Sequence, residues 1–237
     1  MVKYLKGDYM EKSNEEIFSD YGFDLTKKQL KQFDLYFDVL SEWNEKINLT
    51  AIENKNQVYL KHFLDSLMMG KFFDLKNLHL LDVGSGAGFP GIPLKILYPS
   101  LKLTIIDALK KRIAFLKHLC DVLNVDVELI HGRVEEHKHK SMYDIVTGRA
   151  VSSLNVLLEL CVPFVKSNGV FIAYKSSKHE QEAKEASNAI HALNVTYDGH
   201  LDYDIKNEFR TLMVFKKSGP TPEKYPRRFK KIKSKPL

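Results

Sequence analysis

The sequence predicts an α/β protein in which a mostly parallel sheet ends in an antiparallel hairpin and follows an N-terminal helical cap. Three observations predict this fold. Residues 1–75 show helical apolar spacing without a strand pattern, short apolar runs alternate with amphipathic stretches from residue 78 onward, and no helix separates the last two apolar runs. With 237 residues, 44% of them apolar, the chain is long enough to bury the core that such a sheet requires.

Two helices are predicted within the cap. Thr26 can cap the first of them, and the second lies near residues 56–68. The apolar face of the first helix repeats at helical spacing through Leu30, Phe33, Phe37, Leu40, Trp43 and Ile47. We therefore divide the chain into a helical cap (1–75), a sheet domain (76–218) and a basic tail (219–237).

The sheet domain contains five predicted βα units and a hairpin. The predicted strands are Leu78–Val83, Lys102–Asp107, Val127–His131, Asp144–Gly148 and Gly169–Lys175, with helices near 90–98, 109–123, 153–165 and 178–193. The hairpin strands are Val195–Tyr203 and Arg210–Phe215. This element order is typical of class I S-adenosylmethionine-dependent methyltransferases, whose Rossmann-like, mostly parallel sheet has seven strands. A dinucleotide dehydrogenase usually continues with further βα units.

A glycine turn follows the first strand and marks the predicted ligand site. Gly84, Gly86 and Gly88 alternate shortly after Asp82, and a helix-compatible run follows them. Backbone N–H groups at such a turn can approach a nucleotide-like ligand, because glycine leaves no Cβ in the way. The dinucleotide fingerprint needs a third glycine where this chain has Phe89. A purely structural turn is the alternative.

Three further strand ends are predicted to meet the same ligand. Asp107 ends the second strand 19 residues after Gly88, where its carboxylate can accept both ribose hydroxyls or instead cap the next helix. Val134 and Glu135 follow the third strand, where an adenine would lie, although Glu135 alone also suits a solvated helix start. Arg149 ends the fourth strand, and its guanidinium can pair with a carboxylate, an RNA phosphate or a structural partner.

The sequence offers no assignable catalytic residue beyond Arg149, a candidate for positioning substrate or cofactor, and no metal motif. His62 lies in a helical pattern and is interpreted as a satisfied helical histidine rather than a general base. Cys120 and Cys161 lack C-x-x-C spacing, Met1–Asp8 lacks the apolar core of a secretory signal, and no apolar run reaches roughly 18 residues. We therefore expect a cytoplasmic protein without membrane contact.

The formal net charge of +6 is carried entirely by the last nineteen residues, which contain seven basic residues and one acidic residue. Basic residues interleaved with aromatic ones indicate a polyanionic partner, because lysine and arginine neutralise phosphates while aromatic rings stack on bases. The predicted RNA contacts are Arg227, Arg228, Lys230 and Lys231. A solvated tail that aids solubility is the alternative.

Seven sequence blocks together resemble one bacterial enzyme family. The blocks are Trp43–Ile52, His62–Leu67, Leu81–Pro93, Lys110–Leu116, Gly132–Glu136, Gly148–Val151 and Tyr225–Arg228. In these blocks the chain is similar to the bacterial small-subunit (16S) rRNA guanine-N7 methyltransferase G family, also called glucose-inhibited division protein B. The resemblance implies transfer of a methyl group from S-adenosyl-L-methionine to N7 of a guanine in 16S rRNA. It also implies cofactor contacts at Gly84, Phe89, Val134, Glu135 and Arg149.

The chain departs from that family in two places. Asp107 stands where family members often carry glutamate, a change that should preserve ribose binding. After Tyr225–Arg228 the tail continues with Phe229, Lys230 and Lys231 rather than with small residues, glycine and proline.

A guanine N7 acceptor would explain why no general base is evident, because N7 carries a lone pair and no proton. We expect 16S rRNA or the small ribosomal subunit as the partner, and a monomeric protein. The alternatives are a nicotinamide-dependent oxidoreductase, which would share the glycine turn, and a non-enzymatic RNA-binding protein, which would explain only the tail. Deleting residues 219–237 is expected to weaken RNA binding, flatten its salt dependence and leave cofactor affinity unchanged.

Overall fold

Seven strands form a single sheet in this computed structural model, which describes residues 13–149 and 152–237. Residues 1–12 of the predicted cap, which include the segment Met1–Asp8, lie outside the described residues. The same holds for Ala150 and Val151. The strands are β1 (His79–Val83), β2 (Lys102–Asp107), β3 (Glu128–His131), β4 (Tyr143–Arg149), β5 (Val165–Lys175), β6 (Val195–Ile205) and β7 (Glu208–Lys217).

The sheet order is β3-β2-β1-β4-β5-β7-β6, and all neighbouring strands run parallel except at β7, which is antiparallel to both β5 and β6. The predicted mostly parallel sheet with a C-terminal hairpin is therefore confirmed. The strand order reverses direction between β1 and β4, and ligands of open α/β sheets bind at the carboxyl ends of the strands beside such a switch point.

The helices agree with the predicted pattern in most places. They are α1 (Asn14–Ser19), α2 (Lys27–Ile47), α3 (Lys55–Val58), a π-helical segment (Tyr59–Leu64), α4 (Asp65–Leu67), α5 (Met69–Phe72), α6 (Gly91–Leu97), α7 (Lys110–Leu123), α8 (Leu154–Cys161), α9 (His179–Glu185), α10 (Ser187–Ala192) and α11 (Phe229–Ser234). Thr26 caps α2 as predicted. Its hydroxyl accepts the Gln29 N–H at 3.3 Å, and the Gln29 side chain accepts the Thr26 N–H at 2.9 Å.

The third predicted βα unit differs from the expectation. After β3 the chain forms only a short 3₁₀ turn, Val134–Glu136, in place of a helix. The residues that follow, from Glu135 to Lys140, are all charged or histidine, so this stretch has no apolar face to bury against the sheet. The helix predicted near residues 153–165 is also shorter than expected, since α8 ends at Cys161 and a 3₁₀ turn continues to Phe164.

Two apolar clusters cover the two faces of the sheet. Leu80 and Leu81 are neighbours on β1 but belong to different clusters, because successive side chains of a strand point to opposite faces. The cap helices pack into the first cluster, where Phe33 and Phe63 lie fully buried in the same cluster as Phe115 of α7. The cap thus shares a core with the sheet rather than building one of its own.

The basic tail is part of the fold. Tyr225 and Ile232 are buried in the second apolar cluster, on the opposite face from the cap. Between them, Arg227 reaches Glu159 of α8, and the chain then enters α11. Within the described residues no helix is both long and apolar enough to cross a membrane.

Candidate active site

The three glycines of the turn after β1 have positive φ angles, of 68° at Gly84, 62° at Gly86 and 96° at Gly88. They serve different purposes. A Cβ added to Gly86 would meet no atom within 4 Å, so this residue faces open space. A Cβ on Gly88 would lie 2.6 Å from the Tyr36 hydroxyl, so Gly88 permits close packing of the turn against α2. The turn therefore leaves open space at Gly86 and contacts the cap at Gly88.

A cavity of about 350 Å³ opens at the carboxyl ends of β1, β2 and β3, and we call it the ligand cavity. It brings together four predicted positions from three strand ends: Gly84, Asp107, Val134 and Glu135. Its volume lies within the range of roughly 300–1,000 Å³ that is typical of small-molecule sites. The lining residues that were not among the predicted contacts include Leu109, Arg112, Leu160 and Phe229.

The carboxylate of Asp107 is held in a fixed orientation at this cavity. One oxygen accepts the Leu109 N–H at 2.9 Å, and the other accepts the Gly86 N–H at 3.2 Å and lies 3.4 Å from a terminal nitrogen of Arg112. The helix cap of α7 is Leu109 rather than Asp107, so the capping alternative does not apply in its simple form. A carboxylate oxygen can accept more than one hydrogen bond, so Asp107 can still accept hydrogen bonds from ribose hydroxyls.

Two buried polar atoms beside the glycine turn have no hydrogen-bond partner of good geometry among the described residues. They are Oδ1 of Asp82, whose other oxygen accepts the Gly91 N–H at 2.9 Å, and Oγ of Ser85. Burial raises the pKa of Asp82 to about 7, against the lowering effect of its hydrogen bonds. The Ser85 hydroxyl is itself close enough to lower the pKa of Asp82 as a hydrogen-bond donor, so the open space over Gly86, rather than this pair, is the feature that fits a ligand at the turn.

Arg149 forms the ion pair that the sequence left open as its structural alternative. Its guanidinium lies 2.8 Å from a carboxylate oxygen of Asp65, at the start of α4, and the two side chains are only 15% and 6% exposed. The other oxygen of Asp65 accepts the Tyr203 hydroxyl at 2.9 Å. Asp65 thus links the cap to β4 and β6 through one carboxylate. No local spacing connects Asp65 to these partners, because they lie 84 and 138 residues away in the chain.

Phe89 lies in a stack of aromatic rings beneath Arg149. The Tyr36 and His62 rings flank it at 5.5 and 4.7 Å between centroids, and the Arg149 guanidinium lies 5.0 Å from its centre. Burial lowers the pKa of His62 to about 4, with the Arg149 charge as a second cause, so the imidazole is neutral at pH 7. It also contacts the Thr50 hydroxyl at 2.8 Å, in agreement with the interpretation of His62 as a satisfied helical histidine.

The tail separates into a buried part and an exposed part. Arg227 does not point to solvent. Its side-chain nitrogens contact the two Glu159 oxygens at 2.7 and 2.5 Å, its N–H donates to the same carboxylate at 3.0 Å, and Glu159 is completely buried. Arg228, Lys230 and Lys231 are exposed. The RNA prediction therefore applies to these three, while Arg227 holds the tail in place.

A second, more open cavity of about 690 Å³ adjoins the ligand cavity, and we call it the basic cleft. Its lining residues are Arg133, Glu135, Glu136, Pro226, Arg228, Phe229, Lys230 and Lys233. Phe229 lines both cavities, and its ring centre lies 4.9 Å from the Arg133 guanidinium. The tail therefore provides one wall of the ligand cavity as well as a basic surface outside it.

Among the described residues one group has potential metal ligands close together, namely His179, His200 and Asp202. Its ligand atoms come from α9 and the edge strand β6, and it shares no residue with the ligand cavity.

Comparison with known proteins adds a family to this geometry. A family model described as rRNA small subunit methyltransferase G matches residues 29–201. Proteins named ribosomal RNA small subunit methyltransferase G are similar over most of their length. The relative from Staphylococcus saprophyticus is 47% identical, covering 89% of this chain and 91% of its own, and that from Streptococcus gordonii is 44% identical, covering 94% and 97%.

Solved structures share the fold at low identity. A methyltransferase from Pyrococcus furiosus superposes with a TM-score of 0.58 at 12% identity, covering 80% of this chain and 99% of its own. A SAM-dependent methyltransferase from Aquifex aeolicus superposes with a TM-score of 0.54 at 16% identity, covering 71% and 96%. These likenesses identify the sheet as the class I methyltransferase fold.

Proposed function

This chain belongs to the rRNA small subunit methyltransferase G family, and we propose that it transfers the methyl group of S-adenosyl-L-methionine to N7 of a guanine in 16S rRNA. It is a methyltransferase that depends on S-adenosyl-L-methionine, as its family and fold indicate. The observation that carries the proposal is the ligand cavity, which joins the glycine turn to Asp107, Val134 and a basic tail.

The residues of the cavity suit the separate parts of the cofactor. Val134 and Glu135 would border the adenine, and Asp107 would accept the ribose hydroxyls. The open space above Gly86 would receive the methionine end. When bound, the cofactor supplies an electrophilic methyl group on a positively charged sulfur.

Phe89 and Arg149 support this end of the site from the side of the cap. The Arg149 charge is balanced by Asp65, so the guanidinium brings no uncompensated positive charge near the sulfonium. Phe89 is fixed between two rings, and its face meets that guanidinium at 5.0 Å. We assign both residues to positioning. Their contacts with the cap make the orientation of the methyl group depend on residues from α2 and the π-helical segment.

The reaction itself needs no proton acceptor. The N7 lone pair forms the new bond to carbon as the carbon–sulfur bond breaks, and the electron pair of that bond stays on sulfur. The products are S-adenosylhomocysteine and a 7-methylguanine that carries the positive charge. The contribution of the protein is to hold N7, the methyl carbon and sulfur in line, which is catalysis by proximity and orientation.

The exposed basic residues of the tail support an RNA substrate. Arg228, Lys230 and Lys231 can neutralise phosphates on one surface. Guanine N7 faces the narrow major groove of A-form RNA, so the target base has to lie in a loop or be flipped out. We place the reaction in the cytoplasm, on 16S rRNA or the small ribosomal subunit, with the protein acting as a monomer.

Methyl transfer from labelled cofactor tests the proposal. Purified protein is incubated with small ribosomal subunits and with naked 16S rRNA, and the modified base is mapped by strand cleavage specific for 7-methylguanosine. Label at N7 of a single guanine is expected, and an Asp107→Ala variant serves as the control for cofactor dependence. Methylation of another atom, or of neither RNA, would contradict the proposal. Parallel titrations with NAD and S-adenosylmethionine distinguish it from the oxidoreductase alternative.

A further inference from the structure

We propose that the C-terminal helix couples RNA binding to cofactor binding, because α11 closes the adenosine end of the ligand cavity with Phe229 and presents basic residues to RNA phosphates at the basic cleft. Each ligand is then expected to raise the affinity for the other. This inference rests on the function proposed above, and it concerns how the same site is regulated.

The tail is anchored immediately before the helix. Tyr225 is buried in the second apolar cluster, and Arg227 makes three contacts with a fully buried Glu159. Breaking a buried pair of this kind is strongly unfavourable, so residues 225–227 form a fixed attachment point. Phe229 follows only two residues later, which limits how far its ring can move from the cavity.

The helix beyond this anchor is short. It spans six residues, Phe229–Ser234, and helices of this length are marginal without tertiary contacts. One such contact is Ile232, which is fully buried. Another is the Phe229 ring, which is half-buried in the wall of the ligand cavity. An adenosine in that cavity would cover more of this ring and so favour the ordered helix.

RNA would favour the same ordered helix from the other side. Arg133, Arg228, Lys230 and Lys233 line the basic cleft together with only two carboxylates. Lys230 and Lys233 are three residues apart on α11, so they share one helical face. Phosphates placed against these like charges remove their mutual repulsion, which stabilises the docked helix.

Phe229 and Arg133 connect the two ligands. Both residues line the ligand cavity and the basic cleft, and the guanidinium lies over the ring at 4.9 Å. Because both ligands prefer the arrangement with α11 docked, binding of one increases the population that the other needs. The increase must be reciprocal, since coupling free energy between two sites is the same in either direction.

Calorimetry with S-adenosylhomocysteine, which cannot methylate the RNA, measures this coupling. The dissociation constant of S-adenosylhomocysteine is determined without RNA and with a saturating 16S rRNA fragment that contains the target guanine. We expect RNA to strengthen S-adenosylhomocysteine binding by about fivefold or more, and S-adenosylhomocysteine to strengthen RNA binding by the same factor.

Variants separate the two faces of the helix. Phe229→Ala should reduce the coupling factor to about one and leave the salt dependence of RNA binding unchanged, whereas Phe229→Tyr should retain the coupling. Lys230→Ala with Lys233→Ala should weaken RNA binding while preserving S-adenosylhomocysteine affinity in the absence of RNA. Lys178→Ala with Lys184→Ala removes the same charge at exposed positions outside both cavities and should leave the coupling factor at its wild-type value.

The outcomes distinguish this inference from the function on which it rests. A wild-type coupling factor of one, with both ligands bound normally, would overturn the coupling and leave the methyltransferase proposal intact. Retained coupling in Phe229→Ala would overturn the role of that ring. Failure of the wild-type protein to bind any 16S rRNA fragment or small subunit would instead remove the proposed substrate.

Discussion

Replacing Arg227 by alanine tests whether the basic tail is a structural part of the fold. Glu159 is completely buried, and the Arg227 side chain, which is 16% exposed, supplies two of its three contacts at 2.7 and 2.5 Å. Without that side chain, the carboxylate keeps only the backbone N–H of residue 227 at 3.0 Å. Leaving a buried charge unpaired in this way costs about 3–5 kcal/mol.

Urea unfolding measures this loss directly. We expect the midpoint to fall with little change in the slope, and the melting temperature to drop by roughly 6–20 °C, given about 2–4 °C per kcal/mol for a chain of this size. Lys46→Ala is the matched control, because Lys46 forms an exposed ion pair with Glu42 at 2.6 Å and its removal should cause no measurable change.

A double variant separates pairing from burial. Glu159→Gln with Arg227→Met removes both charges and retains an oxygen that can accept the backbone N–H. It should recover most of the lost stability, because replacing both partners of a buried pair is far less costly than removing one. A loss in Arg227→Ala as small as that of Lys46→Ala would refute the structural role of this contact.

Three further predictions concern the site. Gly86→Asp should leave the protein folded, since aspartate tolerates positive φ better than most residues. Its side chain should fill the open space over the turn and abolish cofactor binding in calorimetry, and normal affinity would exclude the glycine turn as the cofactor site. Arg149→Ala should lose turnover because it removes both the guanidinium over Phe89 and the 2.8 Å ion pair to Asp65, and wild-type turnover in a methyl-transfer assay would remove Arg149 from the site. The raised pKa of Asp82, about 7 in the folded protein, means that the folded state keeps a proton that the unfolded chain loses near pH 4. The free energy of unfolding therefore falls as pH rises from about 4 to 7, by up to about 4 kcal/mol. Urea unfolding of the wild type and of Asp82→Asn should show a difference in unfolding free energy between the two proteins that grows over that window.

Local patterns were sufficient to predict most of the fold. The strands and helices of the sheet domain were found because apolar periodicity is a property of neighbouring residues. The same is true of Gly84, Asp107 and Val134. Each follows or ends a predicted strand, and a parallel sheet brings such strand ends to one edge without further information.

Contacts between distant segments were not predictable in this way. Arg149 and Asp65 are 84 residues apart, and Arg227 and Glu159 are 68 apart, so no local spacing connects either pair. Nothing in a helical pattern distinguishes a carboxylate that will be buried beside an arginine from one that will be solvated. The sequence could therefore propose Arg149 as a site residue but could not tell that a cap carboxylate holds it.

The tail shows how a charge pattern can conceal a structural role. Counting its lysines and arginines predicts an RNA-binding extension whose deletion spares the cofactor site, but the position of Phe229 in the cavity wall leads us to expect the opposite for the cofactor. Tyr225 and Ile232 are visible in the sequence as apolar residues within the charged run, and both are buried. Deleting residues 219–237 would remove Phe229 from the cavity wall and leave Glu159 unpaired, so cofactor affinity and stability should fall together with RNA binding. Substitution of exposed lysines, rather than truncation, is the change that isolates the contribution of RNA phosphates.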